Sequence, residues 1–199
     1  DGKGRVLLPG MIDAHVHVVA GVADLGRNGQ LPDSLVAVRS LVIMREMLLR
    51  GFTTVRDVGG ADFGLKQATE EGHFPTPRLV ISGKALSQTG GHADFRARYD
   101  DRTAPGTRHR LGALGRICDG EAEVRRAARE ELKGGADFIK IMANGGCASP
   151  TDPIHFLGFS VSELEAVVEE ARMAGTYVSA HVYTDDAIRR CVEAGVHSL

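Results

Sequence analysis

Hydrophobic and polar positions along the chain switch repeatedly between a period of two and a period near 3.6, and the switches mark out alternating strands and helices. Gly10 to Val18 (GMIDAHVHV) alternates as a strand does. A loop rich in Gly, Asp and Asn follows, and Ser34 is a suitable N-cap for an apolar-periodic helix over Leu35 to Leu49 that stops at Gly51. Phe52 to Val58 predicts a second strand, Phe63 to Glu71 a short helix, and Arg78 to Leu86 (RLVISGKAL) a third strand. From Ser87 to Gly120 no period is sustained, which predicts a long loop of the kind that carries function. Glu121 to Lys133 is an amphipathic helix, Ala136 to Met142 (ADFIKIM) a fourth strand, and Ala143 to Gly158 another elaborate loop. Ser160 or Ser162 caps the next helix, which ends at Gly175. Tyr177 to Val182 is a fifth strand, Asp185 to Glu193 a helix, and a sixth strand starts at Val196.

Strands that alternate with helices predict a parallel α/β fold. No internal repeat, low-complexity tract or linker-like break divides the 199 residues, so they form one domain or part of one.

Composition narrows the partners. With 24 basic against 26 acidic residues and a net charge of -2, bulk charge attracts neither nucleic acid nor an anionic membrane surface. Charged or polar residues interrupt every apolar run, so no membrane span is expected. The 25 glycines suit many tight turns. Three cysteines without a CxxC spacing exclude a disulfide framework and a thiolate zinc site, and they suit a reducing compartment, so a cytoplasmic location is expected. The first residue is Asp1 rather than Met, and the expectation is that the gene product starts upstream.

The candidate chemistry lies on strands. Asp13, His15 and His17 share one face of the first strand, with Ile12, Ala14, Val16 and Val18 on the other. Two imidazoles at i and i+2 near a strand's C-terminal end can reach one metal ion, or are simply two hydrogen-bonded histidines. On the fourth strand Lys140 shares a face with Phe138 and Met142. It is either a buried amine, able to react with carbon dioxide to give a cation-bridging carbamate, or a lysine that snorkels or pairs with a carboxylate. On the fifth strand Ser179, His181 and Tyr183 share a face, and His181 is either a ligand or a structural histidine.

Through PGMIDAHVHV, GFTTVRDVGG, SQTGGHADFR, GADFIKIMANGGCASPTDP and the AHVYT segment, the chain resembles the amidohydrolase superfamily. It is most similar to the branch of metal-dependent prolidases, Xaa-amino-acid dipeptidases and acyl-amino-acid hydrolases, to which imidazolonepropionases are related. The resemblance implies a partial TIM (β/α)8 barrel over residues 10–199, holding strands one to five and the start of a sixth. Residues 1–9 would be the end of a flanking β-sandwich. It implies two divalent ions, zinc by expectation, with His15 and His17 on the first, His181 on the second, and a carboxylated Lys140 bridging both. The bridging lysine favours a binuclear hydrolase of amide bonds over a mononuclear cyclic amidase or deaminase such as an imidazolonepropionase. A non-catalytic metal-binding fragment is the third reading. His92 would bond the substrate's carbonyl or carboxylate, Tyr183 the tetrahedral oxyanion, and Arg96 or Arg98 a terminal carboxylate. Cys147 is expected to be a plain loop thiol, and Arg56 and Asp57 to be structural or supporting. The sixth-strand histidine and eighth-strand aspartate of the family are expected beyond Leu199, His197 not being that ligand by position. Five units at this spacing extrapolate to on the order of 300 residues for eight. The 199-residue chain is therefore expected neither to fold cooperatively nor to turn over substrate alone, and at full length to act on a small amide or dipeptide, as a possible homo-oligomer.

Overall fold

The computed structural model describes residues 2–100 and 109–199. Its elements run β1 (Met11–Val16), α1 (Leu25–Asn28), α2 (Asp33–Leu49), β2 (Phe52–Asp57), α3 (Phe63–Glu70), β3 (Arg78–Ile81), β4 (Ala85–Ser87), β5 (Gly115–Ile117), α4 (Gly120–Lys133), β6 (Ile139–Met142), α5 (Val161–Met173), β7 (Val178–His181) and α6 (Asp185–Ala194). Among the described residues every pairing between these strands is parallel; an isolated antiparallel bridge joins Asn144 to Leu157. Parallel neighbours need crossover connections, and the helices supply most of them.

The strands form two sheets, ordered β1-β2-β3 and β5-β4-β6-β7. The third strand expected from the sequence is thus two strands. Its break is at Ser82-Gly83-Lys84, where Gly83 takes a φ of 67°. The Ser82 N–H donates to the Asp57 carbonyl at 3.1 Å and the Gly83 carbonyl accepts the Gly60 N–H at 2.8 Å. Asp137 knits the two sheets beside the break. Its backbone N–H donates to the Ile81 carbonyl at 2.8 Å, and its carboxylate accepts the Ile81 N–H at 2.9 Å and the Lys66 ammonium at 2.5 Å.

The long stretch from Ser87 to Gly120 is also not wholly irregular, because β5 pairs with the outer edge of β4; its residues 101–108 lie outside the described residues. The helix expected from Leu35 starts two residues earlier. Pro32, at φ -55°, occupies the N-cap without a side-chain bond, and Asp33 sits in the first turn, where a carboxylate complements the helix dipole. Ser160, not Ser162, caps α5, in a reciprocal capping box with Glu163. Thr184 caps α6, and Gly195 ends it in the left-handed region at φ 90°. The fourth strand is shorter than expected, since Asp137 and Phe138 precede the ladder. The sixth strand begins as a parallel bridge between Ser179 and Ser198.

Two cores hold the layers together. Leu86, Ile139, Ile141 and Val178 pack against Val124 of α4 and Leu164 and Val167 of α5. Val16, Val18, Val55, Leu79 and Ile81 pack with Val36 and Met44 of α2 and Leu65 of α3. The apolar face expected for the first strand is buried only in part: Val16 and Val18 are covered, but Ile12 is 70% exposed. β1 stands at the edge of its sheet, and the covering contacts fall on its C-terminal half. Among the described residues, no helix is long and apolar enough to cross a membrane.

Candidate functional site

β1, β6 and β7 bring their chemistry to the C-terminal ends of the strands. In parallel α/β folds the loops there are free to build a site while the helices cover the faces. The rings of His15 and His17 meet edge to face, their centroids 5.6 Å apart. Lys140 pairs in register with Ser179, and Met142 with His181, so amine and imidazole lie on neighbouring strands two positions apart along the ladder.

Lys140 is 2% exposed, and no carboxylate pairs with it among the described residues. It therefore neither snorkels nor forms the ion pair that its position on a strand also allowed. Desolvation, and then the charge of Arg56, bring its amine down to about 8.

The same field reaches the histidines. Partial desolvation, followed by the charges of Lys140, His17 and Arg56, lowers His15 to about 4 against an opposing pull from Asp13. Desolvation first, then the neighbouring His92, lowers His181 to about 4, with smaller contributions from Lys140 and His15. His15, Lys140 and His181 thus share one electrostatic neighbourhood.

Hydrogen bonds set the tautomers. A carbonyl oxygen only accepts, so His17 Nδ1, 2.9 Å from the Gly59 carbonyl, carries a proton and leaves the Nε2 lone pair to a ligand. His181 Nε2, 3.2 Å from the Gly145 carbonyl, carries its proton likewise and leaves Nδ1. Neutral imidazoles with one nitrogen held by a carbonyl and the other open are the form that coordinates cations. Among the described residues no group of three or more His, Cys, Asp or Glu side chains is gathered to hold a metal ion, so the candidate set draws on Lys140 as well as the histidines.

Supporting residues fix this end of the fold. Asp57 is fully buried; burial pushes its carboxyl up, while His17 and three N–H donors pull it back. Those donors are Val18 at 2.7 Å, Gly59 at 3.0 Å and Ala61 at 3.2 Å, so Asp57 ties the loop after His17 to the loop after β2. Arg56 donates to the Ala14 carbonyl at 2.8 Å and to the Tyr177 and Ser198 hydroxyls, both at 3.2 Å, and its guanidinium lies 5.2 Å from the Phe138 ring centre.

His92 stacks on His181, the ring centroids 4.1 Å apart and 17° from parallel. Tyr183, 54% exposed, meets the other side of the cluster edge-on to His181 at 4.9 Å. Arg96 is engaged inside its own loop, with Nε and a terminal nitrogen on the two carboxylate oxygens of Asp94 at 2.7 and 2.6 Å. Arg98 is exposed beside an open cavity of about 380 Å³ that Gly146, Ser149, Asp152 and Phe156 also line. Cys147 is an exposed free thiol. His197 packs against Tyr177, and its N–H donates to Val178 at the opposite end of β7 from His181.

Sequence reasoning missed Asn144, Asp152 and Lys84. Each acts through backbone or side-chain partners from a distant segment, and in a Gly-rich loop Asn and Asp read as ordinary turn residues.

The profile of the Amidohydrolase family matches residues 6–199. Ochratoxinase of Aspergillus niger is 34% identical over 204 aligned positions, covering 98% of this chain and 42% of that protein. An amidohydrolase crystal structure superposes with a TM-score of 0.95 at 57% identity, covering 98% of this chain and 48% of its own. A prolidase crystallised with N-methylphosphonate-L-proline superposes with a TM-score of 0.94 at 55% identity, covering 96% and 47%. The chain spans under half the length of each. The profile match over residues 6–199 and the 34% identity to ochratoxinase place the chain in one family: it belongs to the amidohydrolase family.

Proposed function

We propose that the chain is the metal-binding part of a binuclear amidohydrolase that cleaves the C–N amide bond of a prolidase-like dipeptide or an N-acyl amino acid. The observation that carries this reading is Lys140, a desolvated amine at about 8 with no carboxylate partner among the described residues, in the same field as His15 and His181. An amine in that range is partly neutral near physiological pH. The neutral form adds to carbon dioxide: its lone pair forms the N–C bond and the displaced proton leaves to solvent. The resulting carbamate is an anion with two oxygens, suited to bridge two cations.

The donor set fits such ions. His15 and His17 would hold one and His181 the other, through nitrogens that the Gly59 and Gly145 carbonyls leave open on His17 and His181. Divalent cations there, zinc by expectation, supply Lewis acidity toward a carbonyl and acidify a water. The chain's own side chains bind and orient. His92 meets the substrate's carbonyl or carboxylate, and the Tyr183 hydroxyl meets the oxyanion. Arg96 reaches a terminal carboxylate only by loosening its pair with Asp94. The parallel strands alternating with helices, and the parallel bridge that starts a sixth strand beside β7, support a partial (β/α)8 barrel over residues 10–199, with residues 1–9 the end of a β-sandwich.

Metal analysis of the full reading frame tests the proposal. Two ions per chain are expected, with a labelled-carbamate carbon resonance that Lys140→Ala abolishes, and hydrolysis of Xaa-Pro or N-acyl amino acid substrates. One ion per chain without the carbamate resonance would overturn it in favour of the mononuclear cyclic amidase or deaminase.

A further inference from the structure

The loop from Ala143 to Gly158 reaches back to His92 through Asp152, and no part of the metal set accounts for this contact. Asp152 is 3% exposed. One of its oxygens accepts the Gly146 N–H at 3.0 Å and lies 3.0 Å from His92 Nδ1; the other accepts the Ser149 hydroxyl. The Ser149 oxygen is itself 2.9 Å from His92 Nδ1.

Serine, histidine and aspartate together invite a nucleophilic triad, but the connectivity excludes it. Activating a serine requires the acid on one ring nitrogen and the hydroxyl on the other. Here both face Nδ1. With its proton given to Asp152, the Ser149 hydroxyl can only accept from Nδ1, so the ring nitrogen makes a forked bond to Ser149 and Asp152. Nδ1 therefore carries a proton, and Nε2 makes no hydrogen bond among the described residues.

The ring plane is held as firmly as the tautomer. His181 stacks on one face, and Gly146 lies so close that a Cβ there would stand 1.9 Å from His92 Cε1. Only glycine at 146 admits the imidazole in this pose.

We infer that Asp152 is a positioning residue for His92: it holds the proton on Nδ1, assisted by Ser149, so that Nε2 is the atom presented to substrate. The part concerning substrate rests on the function proposed above; the tautomer does not. The fork and the Gly146 contact are both contributed by one loop, so the approach of that loop couples the end of β6 to the loop after β4.

The test uses the full reading frame with 15N-labelled histidines, the His92 resonances being assigned by their loss in His92→Gln. Two-bond 15N–1H spectra should show the Nδ1–H tautomer in the unmodified protein. Asp152→Asn, whose amide can donate to Nδ1, should shift His92 toward Nε2–H and lower kcat/KM by ~10- to 100-fold, with metal content unchanged. Ser149→Ala should keep the tautomer. An Nε2–H tautomer in the unmodified protein overturns the inference without any variant having to fold, as does an unchanged tautomer in folded Asp152→Asn. The expected spectra with no amide hydrolysis by any form would sustain the positioning and sink only the proposed function.

Discussion

The side-chain oxygen of Asn144 accepts the backbone N–H groups of Tyr183 and Thr184 at 2.7 and 2.9 Å, while its amide nitrogen donates to the Ile154 and Phe156 carbonyls at 2.7 and 2.6 Å. One buried amide thus fastens the loop after β6 to the residues that follow His181. Asn144→Ala leaves backbone donors and acceptors without partners, each worth ~1 to 3 kcal/mol when truly buried. Some regain water at the strand ends, so the expected loss is ~2 to 4 kcal/mol in urea unfolding. An unchanged urea midpoint would show that the loops hold their places without it.

Lys84 makes a comparable knot on the other side of the sheet break. It is 5% exposed, and its ammonium donates to the carbonyls of Gly60, Arg110 and Ala113 at 2.9, 2.9 and 2.6 Å. Lys84→Met keeps the stem's packing but strands the Gly60 and Ala113 oxygens, while the Arg110 carbonyl keeps only the Ala113 N–H. A loss of ~3 kcal/mol or more is expected by denaturant unfolding. Lys84→Arg should not restore it, because a planar fork cannot converge on three carbonyls as a tetrahedral ammonium does.

Legibility in the sequence followed the range of the interaction. His15, His17, Lys140 and His181 could be read because a strand's period of two places them on one face, and parallel strands deliver their C-terminal ends to one side. The strand break at Gly83 could not, because Ser82, Gly83 and Lys84 between two apolar runs are equally compatible with one strand that continues through them. Only the bonds from Asp57 and Gly60 reveal that the ladder changes partner there. Asp152 was equally invisible, since it meets His92 across 60 positions of chain. Ser34 was a sound cap by type, but Pro32 and Asp33 start the helix first, and the Asp33 carboxylate accepts the Leu111 N–H at 3.0 Å.

The two depressed imidazoles imply a pH dependence. Desolvation holds His15 and His181 down at about 4 in the fold, against 6.5 for an unperturbed histidine. Between those values the unfolded chain binds more protons than the folded one, so stability falls as pH drops through that window and levels off below it. In metal-free protein, urea midpoints should fall between pH ~6.5 and ~4, and His181→Asn should make the fall shallower. A flat profile would mean that the imidazoles are solvated as freely in the fold as out of it.

Thiol reactivity should divide sharply. Burial pushes Cys118 up to about 12 and Cys191 up to about 11, and both side chains are enclosed, whereas Cys147 is exposed. The thiolate is the reactive form, so a disulfide reagent should modify Cys147 alone in native protein and reach the other two after denaturation. Prompt native reaction of Cys118 or Cys191 would place them in a more open structure than this one.

If the 199-residue chain folds alone, contrary to the expectation from its sequence, the exposed face of α2 and the edge of β1 should make it self-associate, though weakly. On α2, Val38, Val42 and Leu49 are 61, 52 and 64% exposed, and Met11 and Ile12 on β1 are 48 and 70% exposed. The same strand stands at the sheet edge, where the Ala14 carbonyl and the His15 N–H have side-chain partners but no further strand pairs with it among the described residues, a template for a second copy. Fully burying an aliphatic side chain contributes ~1.5 to 3 kcal/mol, so five that are already half covered supply about half of that each, ~4 to 8 kcal/mol in all. Association costs at least ~4 kcal/mol in lost rigid-body freedom. The surplus is at most ~4 kcal/mol, a dissociation constant no tighter than about millimolar, so sedimentation velocity should show the mean mass rising only at the highest concentrations reached. Val38→Glu with Ile12→Lys should abolish the rise by placing charge on both the helix face and the strand edge. A concentration-independent monomer in the unmodified chain would show that solvation of the edge outweighs the apolar gain.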